Sequence, residues 1–475
     1  MTTDTHHAPT TGAAAPEPHR SLWLEQAIGG PPAPPLLGTV DADVTILGGG
    51  YVGLWTALRI KQLDPSREVV VLERDVCGAG ASGRNGGMAM AWWQKLPTLV
   101  ALAGEREGLA LARASERAVA EIGEFCAEHD VDAHFNHAGW IWTAGCEAER
   151  GAWTSSVAAC ERLGVQPFAP LSDAEVTDRT GSPVHLGGVF DRSVATVQPA
   201  LLARGLRRVA LERGVRIFER SEVRSFTRRQ PAVVRTRGGT VRTRRVIVAT
   251  NSWAASLREF ARSLAVISSD VVATAPIPER LREIGWTGGE AITDSQTMVH
   301  YYRTTRDGRI VFGKGGWGLA YGGRLGPSFD RDLGRAGETA RNFRRLYPQL
   351  AGTPLTHDWS GPIDRTYHGL PIFGSLPHAP HVLYGLGFSG NGVGPALIAG
   401  KILASLALDG ADEWSRSPLV EQRYRRFPPK PITFAGAHVV KAAVARQGAA
   451  AIAGRRPRRI DDALASLAPA GLEDH

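Results

Sequence analysis

Three glycines, Gly48, Gly50 and Gly53, follow the apolar run Asp43 to Leu47 at a spacing suited to contacts made by backbone rather than side chains. Gly48 permits a tight turn, Gly50 lets the chain approach a pyrophosphate, and Gly53 lets the next helix pack on the strand. Glu73 lies 20 residues beyond Gly53, at the end of a second apolar run through Val69 and Leu72. A carboxylate there accepts hydrogen bonds from a ribose diol and repels a 2′-phosphate. Strand, glycines, helix, strand and acid stand in the register of a βαβ dinucleotide cradle, so the chemistry expected is that of bound FAD or NAD.

Two further glycine-rich stretches separate those choices. The segment 78–87 contains Ser82, Gly83, Arg84, Asn85, Gly86 and Gly87, a second place where backbone can approach a ligand; a simple NAD enzyme does not need it. The segment 385–394, with Gly387, Phe388, Ser389, Gly390, Asn391, Gly392 and Val393, precedes an expected helix from Pro395 to Leu408. The N-terminus of that helix would place positive potential beside an electron-rich ring edge.

Together these segments resemble the D-amino-acid oxidase-like superfamily of FAD-dependent oxidoreductases. The resemblance also takes in the strand Arg245 to Trp253 and the segment Gly369 to Gly374, in the family's order. The Gly-Arg-Asn-Gly-Gly wording and the hairpin around Tyr302, Arg303, Arg309 and Gly313 point to the γ-glutamylputrescine oxidase-like branch. The resemblance implies an α/β protein: a Rossmann-like FAD-binding domain assembled from discontinuous segments, and an α+β substrate domain whose large antiparallel sheet roofs the flavin. It implies that Gly48, Gly50, Tyr51, Val52, Gly53, Glu73 and Arg74 hold the adenosine end. Ser82 to Gly87 would serve the phosphates and ring, Val223 the adenine, Ala249 and Thr250 the phosphate side, and Gly387 to Val393 the ring's N1 to O2 edge. Gly361 stands where sarcosine-oxidase-like relatives carry a flavin-linked cysteine, which predicts non-covalent FAD. Gly394 stands where those relatives carry a lysine for the substrate carboxylate.

The implied reaction is oxidation of the C–N bond of a small amine or amino acid by hydride transfer to flavin N5, with O2 or another compound as electron acceptor. Such chemistry asks for no catalytic triad and no metal. For the site facing the ring, the catalytic candidates are His300, Tyr302, Lys314 and Trp92, with Trp93 and Arg303 as further wall residues. Residues 298–303 alternate in direction, so one set meets the flavin, and the set His300 and Tyr302 is preferred. The family's oxygen-activating lysine would align near Val311, leaving oxidase and dehydrogenase both open. A 2-hydroxy acid dehydrogenase and a flavin-binding subunit of a larger complex are the alternative functions.

Positioning these residues requires a chain of several domains, and 475 residues suffice. The sequence divides into a disordered tail and linker (1–37), an FAD-binding domain (38–98, 190–262 and 357–426), a substrate domain (99–189 and 263–356) and a C-terminal extension (427–475). The net charge of +8 comes from arginines scattered among 47 acidic residues, so no nucleic-acid partner is expected. Four cysteines without metal or disulfide spacing fit a reducing compartment. Neither a signal peptide nor an 18-residue apolar run is present, which predicts a cytoplasmic protein without membrane insertion.

Overall fold

The computed structural model describes residues 5–7, 20–27 and 30–469. Val69–Leu72 is wholly apolar and wholly buried, as a parallel strand covered on both faces must be. It pairs in parallel with Gly38–Leu47, and helix Tyr51–Leu63 connects the two, burying Leu54, Trp55 and Leu58. Gly239–Val248 joins the other side of Gly38–Leu47, and Arg216–Phe218 and Ala379–Leu386 extend the parallel run. Gly38–Leu47, Gly239–Val248 and Ala379–Leu386 are far apart in sequence, so this α/β sheet closes only when distant segments meet.

A second sheet of eight strands runs Leu355–Arg365, Ala265–Thr274, Ile310–Leu319, His300–Thr304, Ala291–Thr293, Trp140–Thr143, Gly188–Asp191 and Phe168–Leu171. All its neighbours are antiparallel except Ala291–Thr293 beside Trp140–Thr143. Leu355–Arg365 crosses residue 357, an expected domain boundary. Its ladder with Ala265–Thr274, from Leu355 against Thr274 to Arg365 against Ala265, ties residues 357–365 to the second sheet. The long helix Leu96–Glu128 is broken at Gly104, whose φ of 80° is not helical.

The expected disordered tail is corrected where it is described. Leu22–Gln26 is a short helix capped by Ser21, and its Trp23 is 1% exposed. Trp23 meets Trp359 edge to face at 6.2 Å, and its Nε1 donates to Asn85 O at 2.8 Å. Ser21 donates to Gly83 O at 2.6 Å, and Gln198 Nε2 donates to Trp23 O at 2.9 Å. Burying one large indole with its N–H satisfied offsets the entropy of ordering so short a segment. Residues 8–19 of that expected tail lie outside the described residues.

Beyond the second sheet the chain ends in helices Lys430–Ile452 and Arg459–Ala465. Arg446 joins them through two hydrogen bonds to Asp461, at 2.9 and 2.7 Å. Among the described residues no helix is long and apolar enough to cross a membrane, and no cluster of acidic, histidine and cysteine side chains could hold a metal ion. All four cysteines are free.

Candidate functional site

Between the two sheets runs a cavity of about 720 Å³. At one end the glycine cradle is fixed by its own packing. A Cβ on Gly53 would stand 2.0 Å from Gly48 O, and one on Gly48 would stand 2.6 Å from Ala249 O. Gly48 also holds a φ of +109°, open to glycine alone at little cost. Helix Tyr51–Leu63 begins at Gly50, which offers no side-chain cap, and Gly50, Tyr51 and Val52 line the cavity, which sets the helix's N-terminal turn beside it. Ser82 Oγ accepts from Tyr51 N at 3.0 Å and joins the second glycine stretch to that helix start. Glu73 accepts from Gly49 N at 2.8 Å and Asp75 N at 2.9 Å; burial raises its carboxyl above the usual range despite those bonds.

Most of the cofactor residues named from sequence line this cavity: Gly48, Gly50, Tyr51, Val52, Glu73, Arg74, Ser82, Arg84, Asn85, Gly86, Val223, Ala249, Thr250, Gly361 and Phe388 through Val393. Gly53, Gly83, Gly87 and Gly387 stand one layer behind. Their missing side chains make room for protein, since a Cβ would press on Gly48 O, Gly78 O, Val197 O and the Thr366 side chain respectively. Asn85 shapes its own loop, donating to Ala81 O and Ser82 O and accepting from Gly87 N. Arg84 is held by an ion pair to Asp330 and by donation to Ala79 O at 2.9 Å.

Asp364, which does not stand out in the sequence, suspends the last glycine loop. Its carboxylate accepts from Gly387 N at 2.6 Å, Phe388 N at 3.2 Å and Asn251 Nδ2 at 2.8 Å. Burial raises the Asp364 carboxyl to about 7, against the lowering effect of those bonds. A lone aspartate at a strand end carries no sequence signal until its loop partners are known. Trp253, also missed, lies beneath the Arg74 guanidinium at 4.6 Å.

On the roofing sheet the preferred face is reversed. His300 pairs across strands with Lys314 and Tyr302 with Phe312, all turned from the cavity, whereas Tyr301, opposite Gly313, lines it. Tyr301 lies flat over Gly313, where a Cβ would come 2.1 Å from its Cζ, and its hydroxyl bonds Ser269 Oγ at 2.6 Å. Tyr302 is fully buried among Phe312, Trp286 and Tyr347 and bonds His185 Nε2 at 2.6 Å. His300 Nδ1 donates to Asp294 at 2.5 Å, and Lys314 Nζ donates to His300 Nε2 at 2.9 Å. Burial brings the Lys314 ammonium down to about 8, with Asp294 opposing the fall. The candidates His300, Tyr302 and Lys314 therefore belong to a buried polar layer behind the roof. Period-two alternation shows that the faces differ but not which one meets a core, and the core took the more polar set.

Trp92 lines the cavity, its backbone N–H held by Ser115 at 2.8 Å. Trp93 turns away and donates to Glu116 at 3.0 Å. Arg303 is buried beneath Gly87, donating to Val197 O at 2.7 Å beside the Trp23 ring. Gly394 has no room for a lysine, since its Cβ would meet Met90 O at 2.7 Å.

The cavity fits an FAD. It is long, it passes from a helix N-terminus to an aromatic roof, and two buried polar atoms among its lining residues, Trp253 Nε1 and Asn391 Oδ1, have no protein partner. The residues that would hold the cofactor are those of the glycine cradle at one end and the Phe388 to Val393 loop at the other.

Comparison with known proteins agrees with this geometry. The probable oxidoreductase OrdL of Haemophilus influenzae is 27% identical over 388 residues, covering 80% of this chain and 86% of that protein. The γ-glutamylputrescine oxidoreductase of Escherichia coli is 28% identical over 382 residues, covering 79% and 86%. The structure of glycine oxidase from Geobacillus kaustophilus superposes with a TM-score of 0.66 at 21% identity, covering 81% of this chain and 99% of that one. The sequence profile of the FAD dependent oxidoreductases, DAO, matches residues 43–406, and the chain belongs to that family of flavoenzymes.

Proposed function

We propose that this flavoenzyme oxidises the C–N bond of a small amine or amino acid. The observation that carries this reading is the continuity of one cavity from the cradle of Gly48, Gly50 and Glu73 to a chamber walled by Trp92 and Tyr301. Names among the relatives, glycine oxidase and γ-glutamylputrescine oxidoreductase, support the substrate class. FAD held there supplies a hydride acceptor at N5, and O2 or another compound reoxidises it.

The residues of the chain supply binding, orientation and exclusion of water. Tyr301, its hydroxyl bonded to Ser269, and Trp92, its backbone N–H held by Ser115, line the chamber and would hold the α-carbon of the amine toward the ring. The Phe388 to Val393 loop, hung on Asp364, closes the opposite edge. Helix Pro395–Ala407 starts just beyond it at an uncapped Gly394, bringing partial positive charge to that edge. Hydride leaves the α-carbon with its electron pair while the nitrogen lone pair forms the C=N bond. Water then hydrolyses the imine to a carbonyl compound and the free amine or ammonia. A neutral nitrogen is required, so flavin reduction rises with pH as the amine loses its proton.

No cysteine or histidine stands among the described residues lining the cavity, which supports non-covalent FAD. Acid precipitation should leave the flavin in the supernatant; flavin in the pellet contradicts this. The division into an FAD-binding domain (38–98, 190–262, 357–426) and a substrate domain (99–189, 263–356) is supported by sheet membership, apart from residues 190–191 and 357–365, which belong to the second sheet.

Anaerobic mixing with a panel of amines, amino acids and 2-hydroxy acids tests the reading. Bleaching of the flavin by amines is expected. Bleaching by 2-hydroxy acids, with every amine inert, overturns it.

A further inference from the structure

Among the described residues, four tryptophans, Trp55, Trp142, Trp253 and Trp286, carry a buried indole N–H that reaches no acceptor in the protein. Of these four, Trp253 alone lines the cavity. An indole nitrogen donates and cannot accept, and native structures mostly give a buried donor a partner. At the other three no cavity adjoins the ring. At Trp253 a bound ligand can supply the missing acceptor.

The backbone aims this indole. Trp253 sits in the 3₁₀ turn Asn251–Ser256, which follows strand Gly239–Val248. Its N–H donates to Thr250 O at 3.2 Å, and its carbonyl accepts from Ser256 Oγ at 2.7 Å. The Arg74 guanidinium lies over the indole, 4.6 Å from the ring centroid. Two ring carbons stand 3.7 and 3.9 Å from where a Cβ on Gly80 would be, an ordinary contact distance. Gly80 leads into Ala81–Gly83, where Ser82 Oγ accepts from Tyr51 N at the start of helix Tyr51–Leu63. Trp253, Arg74, Gly80, Ser82 and Gly50 thus line the part of the cavity in which the glycine cradle lets backbone approach a pyrophosphate.

We infer that Trp253 and Arg74 together grip the diphosphate of FAD, the indole N–H donating to one of its oxygens and the guanidinium stacked on the same ring contributing its charge. An anionic oxygen suits both groups. A hydrogen bond to a charged acceptor is roughly twice as strong as one between neutral partners, and the arginine brings positive charge to the same place. The neighbouring carboxylate of Glu73 does not serve the indole, because it is committed to the amides of Gly49 and Asp75. The inference needs only the FAD of the family and holds whichever substrate the chamber takes. It adds a side-chain contact to a site otherwise made of backbone.

Phosphorus-31 NMR of the full-length holoenzyme reads the two phosphorus atoms of bound FAD directly. Trp253→Phe keeps an aromatic face for Arg74 and removes the N–H. It should move at least one of the two resonances and release flavin about tenfold faster on dilution, with far-ultraviolet circular dichroism and the visible flavin band unchanged. Wild-type release should quicken with added salt, and Arg74→Gln should flatten that dependence, since salt screens the charge that the variant removes. Both resonances unmoved in Trp253→Phe overturn the inference, and faster release alongside them puts the acceptor on the ribose instead. Should Trp253→Phe be isolated without flavin, the spectrum of Arg74→Gln decides: a moved resonance supports the grip, and two unmoved resonances overturn it.

Discussion

The glycine cradle and the polar layer behind the roofing sheet are both buried, yet they are built from opposite materials. The cradle works through backbone: Gly48, Gly50 and Gly53 contribute by what they lack, and two side chains, Glu73 and Ser82, bond its amides. The layer behind the roof works through side chains: Asp294, His300 and Lys314 in one chain of hydrogen bonds, Thr180, His185 and Tyr302 in another. A backbone site tolerates no added atoms and hardly notices pH. A side-chain network tolerates changes of shape better and depends on every member keeping its protonation state.

The largest expected effect breaks the first half of that contrast. Gly50→Val brings a Cβ within 2.9 Å of Ser82 Oγ and fills the approach of the pyrophosphate, so flavin binding should be lost with the fold retained. Visible absorbance and far-ultraviolet circular dichroism on the same sample measure the two. A folded, yellow Gly50→Val protein removes the cradle from the account.

Next in size, Asp294→Ala should reduce stability by about 3–5 kcal/mol, because it strands the Lys314 and His300 groups in a buried layer. Urea denaturation measures the loss, and the folded fraction should keep its flavin, since none of the three side chains lines the cavity. Loss of flavin in parallel with an intact fold contradicts the separation of the two regions.

The smallest effect is a pH dependence. Burial pushes His185 down to about 3, where its neutral ring accepts from Tyr302 and bonds Thr180. A histidine lowered on folding contributes stability that is complete above the unfolded value near 6.5 and declines as pH falls toward the folded one. Between pH 6.5 and 5 the wild type should lose about 2 kcal/mol relative to His185→Gln. Taking the difference removes the raised carboxyls of Asp191 and Asp364, which act with the opposite sign. A constant difference across that range sinks the assignment of a neutral, buried His185.

The same contrast explains what the sequence disclosed. Gly48, Gly50, Gly53 and Glu73 were legible because a backbone site restricts residue type at fixed local spacing. The roof was legible as a strand pair at 298–303 and 309–313, which forms at 300–304 and 310–319, but not in its facing, since Tyr301 and Tyr302 are chemically alike and the tertiary core alone decides between them. Asp364 was invisible because its partners, Asn251 and Gly387, are distant in sequence, and nothing local links an aspartate at a strand end to them. Trp23 was hidden by its setting, a few apolar residues between proline-rich stretches that read as disorder.

The order of the strands in the parallel sheet constrains how the molecule is made. Gly38–Leu47 is made before the strand it pairs with, Gly239–Val248, and before that strand's other neighbour, Ala379–Leu386, and the loop from Gly387 to Gly394. The first βαβ unit emerges with both edges unpaired and without the Gly387 to Gly394 loop, and such pairing between distant segments is slow to form. Flavin capture therefore waits for the segments through Gly394. Cells short of flavin would accumulate apoprotein in which all of these segments are already made.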